Sequence, residues 1–188
     1  LISDMLSNRA VTFFREKEFE PCLDDCDQAI EYRPTYDKSW IRKWRALVAM
    51  GEFDEACACL EKGLEHNPNS KRIQDQICLC NEERVILEDT RFLVKEEKWP
   101  EAKARMSNVV QTSSNIAILC LASRIHATLG EVDAAVEIAA KAKKFSPKNV
   151  EVLEVHGYAL FLSGETEKGA HVLFDAYCLD KNKKKLQE

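Results

Sequence analysis

The chain has 188 residues, of which 45% are apolar, 31% charged and 8% aromatic, with 6 Gly, 5 Pro and a net charge of −5. This apolar content excludes a disordered chain, the scarcity of Gly and Pro argues against a strand-and-turn fold, and the length suffices for one or two packed helical domains. The negative balance, with no basic stripe, excludes a general nucleic-acid surface.

The sequence opens on Leu1 rather than Met and shows no signal-peptide pattern, as expected of a piece of a longer cytoplasmic or nuclear protein. A first helical hairpin is predicted over 3–36, with Ala10, Phe13, Cys22, Cys26, Ala29 and Pro34 at its packing positions. A second covers 37–70 and carries Trp40, Trp44, Leu47, Gly51, Phe53, Ala56, Leu60, Gly63 and Pro68. Residues 71–82 break the pattern. No Pro or Gly interrupts the stretch from Lys71 past Leu93, so one helix is predicted over about 71–97. Its first half is a linker that continues into a third unit at 83–115, with Leu93, Trp99, Ala102 and Met106. A fourth unit spans 116–149 and contains the longest apolar run, Ile116 to Ala122, far short of a membrane span. A fifth spans 150–183, with Leu153, Gly157, Gly164, Gly169 and Ala176. The chain then divides into a first array (1–70), a helical linker (71–82), a second array (83–183) and a basic tail (184–188). Lys181, Lys183, Lys184 and Lys185 read as a solvated helix end that suits the helix dipole.

The signal behind these units is periodic. Pro34 and Pro68 are 34 residues apart, as are Gly130 and Gly164, and Gly51-Glu52-Phe53-Asp54 recurs as Gly130-Glu131-Val132-Asp133. A 34-residue helix–turn–helix unit with small residues at fixed positions resembles the tetratricopeptide repeat. The resemblance implies an all-α, right-handed solenoid, in which small residues sit where helices cross and large ones fill the groove left by the next hairpin.

In such an array the first helix of each hairpin presents positions 2, 6, 9 and 13 to a concave groove that binds extended peptides. The first unit places Asp4, Asn8, Val11 and Arg15 there; the second places Lys38, Arg42, Arg45 and Ala49. Lys38 and Arg42 are like charges four residues apart, a modest local cost that points to an anionic guest. Leu6-Ser7-Asn8-Arg9-Ala10 followed by Lys38-Ser39-Trp40-Ile41-Arg42-Lys43 resembles the clamp repeats of Hsp70/Hsp90 co-chaperones such as the Hsp-organising protein. The order of two clamp-like repeats, a helical insert and a second array resembles DnaJ-type (Hsp40) co-chaperones. By that resemblance Asn8, Lys38 and Arg42 would hold the terminal carboxylate and Asp side chain of an EEVD tail. Val11 and Arg45, at groove positions of the same two helices, are further candidate contacts, and Arg45 stands where that family often has Ala. A preceding repeat would add a Lys and an Asn. The implied protein is a cytoplasmic co-chaperone scaffold whose partner is the C-terminal peptide of Hsp70 or Hsp90. The alternative is a structural adaptor that holds other proteins through the second array, whose groove positions are mixed: Arg84, Glu88, Arg91 and Lys95, then Ala117, Leu121, Arg124 and Thr128, then Glu151, Val155, Tyr158 and Leu162.

No catalytic motif competes. Gly164 and Gly169 have the phosphate-loop spacing, but Ala170-His171 follows where Lys and Ser/Thr are needed. No His-Pro-Asp triplet occurs, so a J-domain activity is not expected in this stretch. The eight cysteines lack any Cys-x-x-Cys pair and are expected as reduced packing residues, without metal or other cofactor. Trp44 stands where the repeat wants a small residue, and it should either push helices apart or leave a ring exposed.

Overall fold

The computed structural model describes residues 2–187, with side chains as far as Lys181. The side chains of Lys183, Lys184 and Lys185, and with them the predicted basic tail, lie outside the described residues. Among these all regular structure is helix: α1 (Ile2–Glu16), α2 (Phe19–Tyr32), α3 (Asp37–Met50), α4 (Phe53–His66), α5 (Lys71–Lys95), α6 (Trp99–Thr112), α7 (Ile116–Thr128), α8 (Val132–Phe145), α9 (Val150–Leu162) and α10 (Thr166–Gln187). The chain packs as two compact units, Leu1–Arg84 and Val85–Glu188. No helix among the described residues is long and apolar enough to cross a membrane.

Each hairpin turns at the same place. Gly51, Gly130 and Gly164 have φ of 93°, 78° and 89°, and the equivalent residues of the other two hairpins, Lys17 and Glu97, adopt φ of 63° and 58° without a glycine's freedom. Serine or asparagine starts three of the helices that follow inter-repeat turns, α5, α7 and α9, whereas α3 follows Tyr36 without a side-chain cap. The Ser70 hydroxyl accepts from the Ile73 amide at 3.3 Å, and the Asn149 side chain accepts from the Val152 amide at 3.2 Å.

In the first unit α1 packs on α2, α2 on α3 and α3 on α4. Ala10, Cys22, Cys26 and Ala29 have no exposed surface, so the hairpins close on small side chains. Helix α4 is buried on two sides, which is why Cys57 and Cys59 are both inside although two residues apart. Cys57 clusters with Ile73 and Cys80 of α5, while Cys59 faces the Trp40 carbonyl at 3.8 Å. Burial pushes the Cys59 thiol up to about 12. Not every cysteine is packing: Cys78 is exposed. Trp44 is half-buried and pushes nothing aside, because α5 receives it; its indole donates to Cys80 Sγ at 3.1 Å. Helix α5 is one unbroken helix of 25 residues. Ile73, Cys80 and Leu87 are buried along it at seven-residue spacing, while Phe92, two residues short of the next position at Val94, is exposed.

In the second unit α6 packs on α7, α7 on α8, α8 on α9 and α9 on α10. The α9–α10 crossing is the tightest place. A Cβ added at Gly169 would sit 2.8 Å from the Gly157 carbonyl oxygen, and one at Gly157 would sit 2.7 Å from Leu173 Cγ. Alanines at 135, 139 and 142 let α8 lie close in the core.

Candidate anion-binding groove

Helices α1 and α3 lie side by side because Ser7 and Ser39, both buried, leave room between them; the Ser39 hydroxyl reaches Ser7 Oγ at 3.3 Å. Arg42 leans across the same seam. Its Nη1 donates to Ser7 Oγ, and its Nη2 donates to Asn8 Oδ1 at 3.4 Å. Asn8 is exposed, and its amide nitrogen is a further donor at this seam. Lys38 is exposed one turn earlier on α3, its Nζ 5.9 Å from the Tyr36 ring centroid. Asp4, one turn before Asn8, is held below the usual carboxylate range by the Tyr36 hydroxyl.

Two adjoining hollows open on this face. One, of about 360 Å³, is lined by Lys38, Ile41, Arg42 and Arg45 of α3 and by Arg72, Asp75 and Gln76 of α5. The other, of about 170 Å³, is floored by Ala10, Val11 and Phe14, with Arg42 and Arg45 at its edge. Of the residues expected at this groove, Asn8 and Arg42 touch. Lys38, Arg42 and Arg45 share the larger hollow, and Val11 lies in the smaller. Arg72 is a groove residue that the sequence reading missed. The signal was present: carrying the 34-residue register on from residue 37 puts the next groove positions at 72 and 76. The break in the pattern at 71–82 hid them.

The charges here are uncompensated. Two other cations of the first unit are paired, Arg9 with Asp25 and Lys43 with Asp27. Asp37 is taken by Asn67 at 2.7 Å and Ser70 at 2.6 Å. Among the described residues none of Lys38, Arg42, Arg45 and Arg72 is in an ion pair. Four cations with free donors on one face suit a ligand with several negative charges.

The second unit has a different groove. Val94, Trp99, Leu121, Val155 and Tyr158 make the apolar part of a hollow of about 470 Å³, and Thr128, Glu154 and Arg124 its polar rim. There the cation is neutralised, since Arg124 pairs with Glu151 at 3.2 Å. His126 is engaged by Glu131 at 2.7 Å, and Glu131 is held below its ordinary range chiefly by Lys103. Among the described residues no three His, Cys, Asp or Glu side chains gather as a metal site would need.

A family model of the tetratricopeptide repeat matches residues 38–70 and 116–149, one hairpin in each unit. The fold is a stack of tetratricopeptide repeats. A solved tetratricopeptide-repeat domain, that of P58(IPK), superposes with a TM-score of 0.59 at 14% identity, covering 96% of this chain and 56% of that one. In sequence the chain is similar to the heat shock protein sti1 homolog of Schizosaccharomyces pombe, at 33% identity over 69 residues. That match covers 37% of this chain and 12% of the relative. It is also similar to Hsp70-Hsp90 organizing protein 2 of Arabidopsis thaliana, at 35% identity over 74 residues, 39% of this chain and 13% of the relative. The matched segment is therefore about an eighth of the length of each of these relatives.

Proposed function

We propose that the chain is a non-enzymatic co-chaperone scaffold of the cytoplasm, whose first unit docks the acidic EEVD-type C-terminal tail of Hsp70 or Hsp90. The observation that carries this reading is the contact of Asn8 with Arg42 and the one hollow shared by Arg42 and Lys38, with neither cation in an ion pair among the described residues. The terminal carboxylate takes charge-assisted hydrogen bonds from the Arg42 guanidinium, the Asn8 amide and the Lys38 ammonium. The hollow over Val11 and Phe14 takes an apolar side chain just upstream. Similarity to the sti1 homolog and the Hsp70-Hsp90 organizing protein supports the choice of chaperone tails. The succession of two clamp-like repeats, a long helix and a second array supports a DnaJ-type co-chaperone.

Calorimetry with an EEVD-ended peptide and its C-terminally amidated twin tests the reading. The free acid binds more tightly, and more weakly as salt is raised. Lys38→Ala or Arg42→Ala each costs roughly 1–3 kcal/mol of affinity without unfolding the protein. Equal binding of the two peptides overturns the proposal. A second reading, an adaptor that holds another protein through the second unit, is favoured by the apolar hollow around Trp99 and Tyr158. Binding there would be indifferent to a free carboxylate.

A further inference from the structure

The carboxylate clamp leaves two cations without a task. Asn8, Lys38 and Arg42 suffice for the end of a tail, yet Arg45 and Arg72 also face the larger hollow, from two different helices. Both are exposed, and neither is in an ion pair among the described residues. Lys38, Arg42 and Arg45 stand at i, i+4 and i+7 on α3, so three like charges occupy one helix face, and Arg72 adds a fourth from α5. This happens where residues 1–70 are acidic overall, with 14 acidic side chains against 9 basic. The acidic residues that could neutralise the face are held elsewhere: Asp25 by Arg9, Asp27 by Lys43, and Asp37 by Asn67 and Ser70. Among the described residues that line the hollow, Asp75 is the one acidic side chain, one turn beyond Arg72.

We propose that Arg45 and Arg72 form a second anion subsite, which binds an acidic side chain of the docked peptide upstream of its terminal residue. This deepens the docking reading above and rests on it. The hollow joins the two subsites through Arg42, so one extended segment reaches both. Asp75 limits how far along α5 the anion sits and keeps it on the Arg45 side. The subsite makes the groove selective for tails with an acidic residue before the terminal one over tails that share only the last residues.

The test is a cycle of two peptides against two proteins, the 188-residue chain and its Arg45→Gln/Arg72→Gln variant. One peptide ends in Glu-Glu-Val-Asp and the other in Gln-Gln-Val-Asp, and amidated versions of both are run alongside. Against the parent, neutralising the upstream pair weakens binding about fivefold at low salt; against the variant the change falls below about twofold. Both residues are exposed, so the variant keeps the parent's helical spectrum and its thermal midpoint. If the Glu-to-Gln exchange costs the same in parent and variant while amidation still abolishes binding, the subsite is wrong and the docking reading stands. If amidation changes nothing in the parent, the docking reading fails and takes this subsite with it.

Discussion

Arg9 closes on Asp25 with two parallel hydrogen bonds, Nε to Oδ2 at 2.7 Å and Nη2 to Oδ1 at 2.6 Å. The guanidinium is 60% exposed and the carboxylate 3%, so the pair seals an acid inside the first hairpin with a cation at its surface. The hydrogen bond to Asp25 raises the Arg9 pKa further. Arg9 therefore serves the fold, while its neighbour Asn8 turns to Arg42. Arg9→Ala strands a buried carboxylate and lowers the thermal midpoint by about 5 °C, more than Asp25→Asn does. Thermal unfolding followed by circular dichroism measures both, and an unshifted midpoint for Arg9→Ala refutes the assignment.

A second expectation concerns the α9–α10 crossing. Gly169→Ala places a methyl group 2.8 Å from the Gly157 carbonyl oxygen, and backbone cannot step aside as a side chain can. Overpacking of this kind costs roughly 1–3 kcal/mol. Urea denaturation should show an earlier midpoint for Gly169→Ala. Gly130→Ala is strained for a different reason, its φ of 78°, since nothing lies within 4 Å of the added carbon. A Gly169→Ala midpoint equal to the parent's would mean that the helices are not as close as described.

The third expectation is a pH dependence. Burial holds the His156 imidazole below its ordinary 6.5, Lys143 adds to the effect and Glu165 opposes it. Its Nδ1 is buried without a hydrogen-bond partner. The folded chain thus takes up this proton less readily than the unfolded one. The contribution of His156 is intact above pH 6.5, is lost as pH falls from there toward the folded-state pKa, and is constant below it. His156→Gln should flatten the fall in urea midpoint between about pH 7 and 5.5. If parent and variant fall in parallel, another group is responsible.

Much of the fold was legible because its determinants are local. The 34-residue spacing of Pro34 and Pro68, and the Gly51, Gly130 and Gly164 turns, mark hairpins directly. The equivalent turns at Lys17 and Glu97 carry no such mark. There the packing on both sides of the turn imposes a left-handed residue that the sequence would not choose. Trp44 misled for a related reason: the space it fills belongs to α5, 36 residues away, and only tertiary structure supplies Cys80 as the acceptor for its indole N–H. At the groove, the contact between Asn8 and Arg42 follows from repeat geometry, but the closeness of Arg72 depends on where α5 lies against α3. The frame was not carried across residues 71–82, so that neighbour went unseen.

The tether from Arg42 to Ser7 and Asn8 has a kinetic meaning. A long, freely rotating arginine must surrender rotamer entropy when a guest arrives, whereas this one has surrendered it during folding. If the proposed docking holds, association needs little local rearrangement, and what differs between one guest and another is expressed in how long each stays. Replacing Ser7 with alanine would untie the guanidinium while leaving every charge in place, which separates the worth of preorganisation from the worth of the cation.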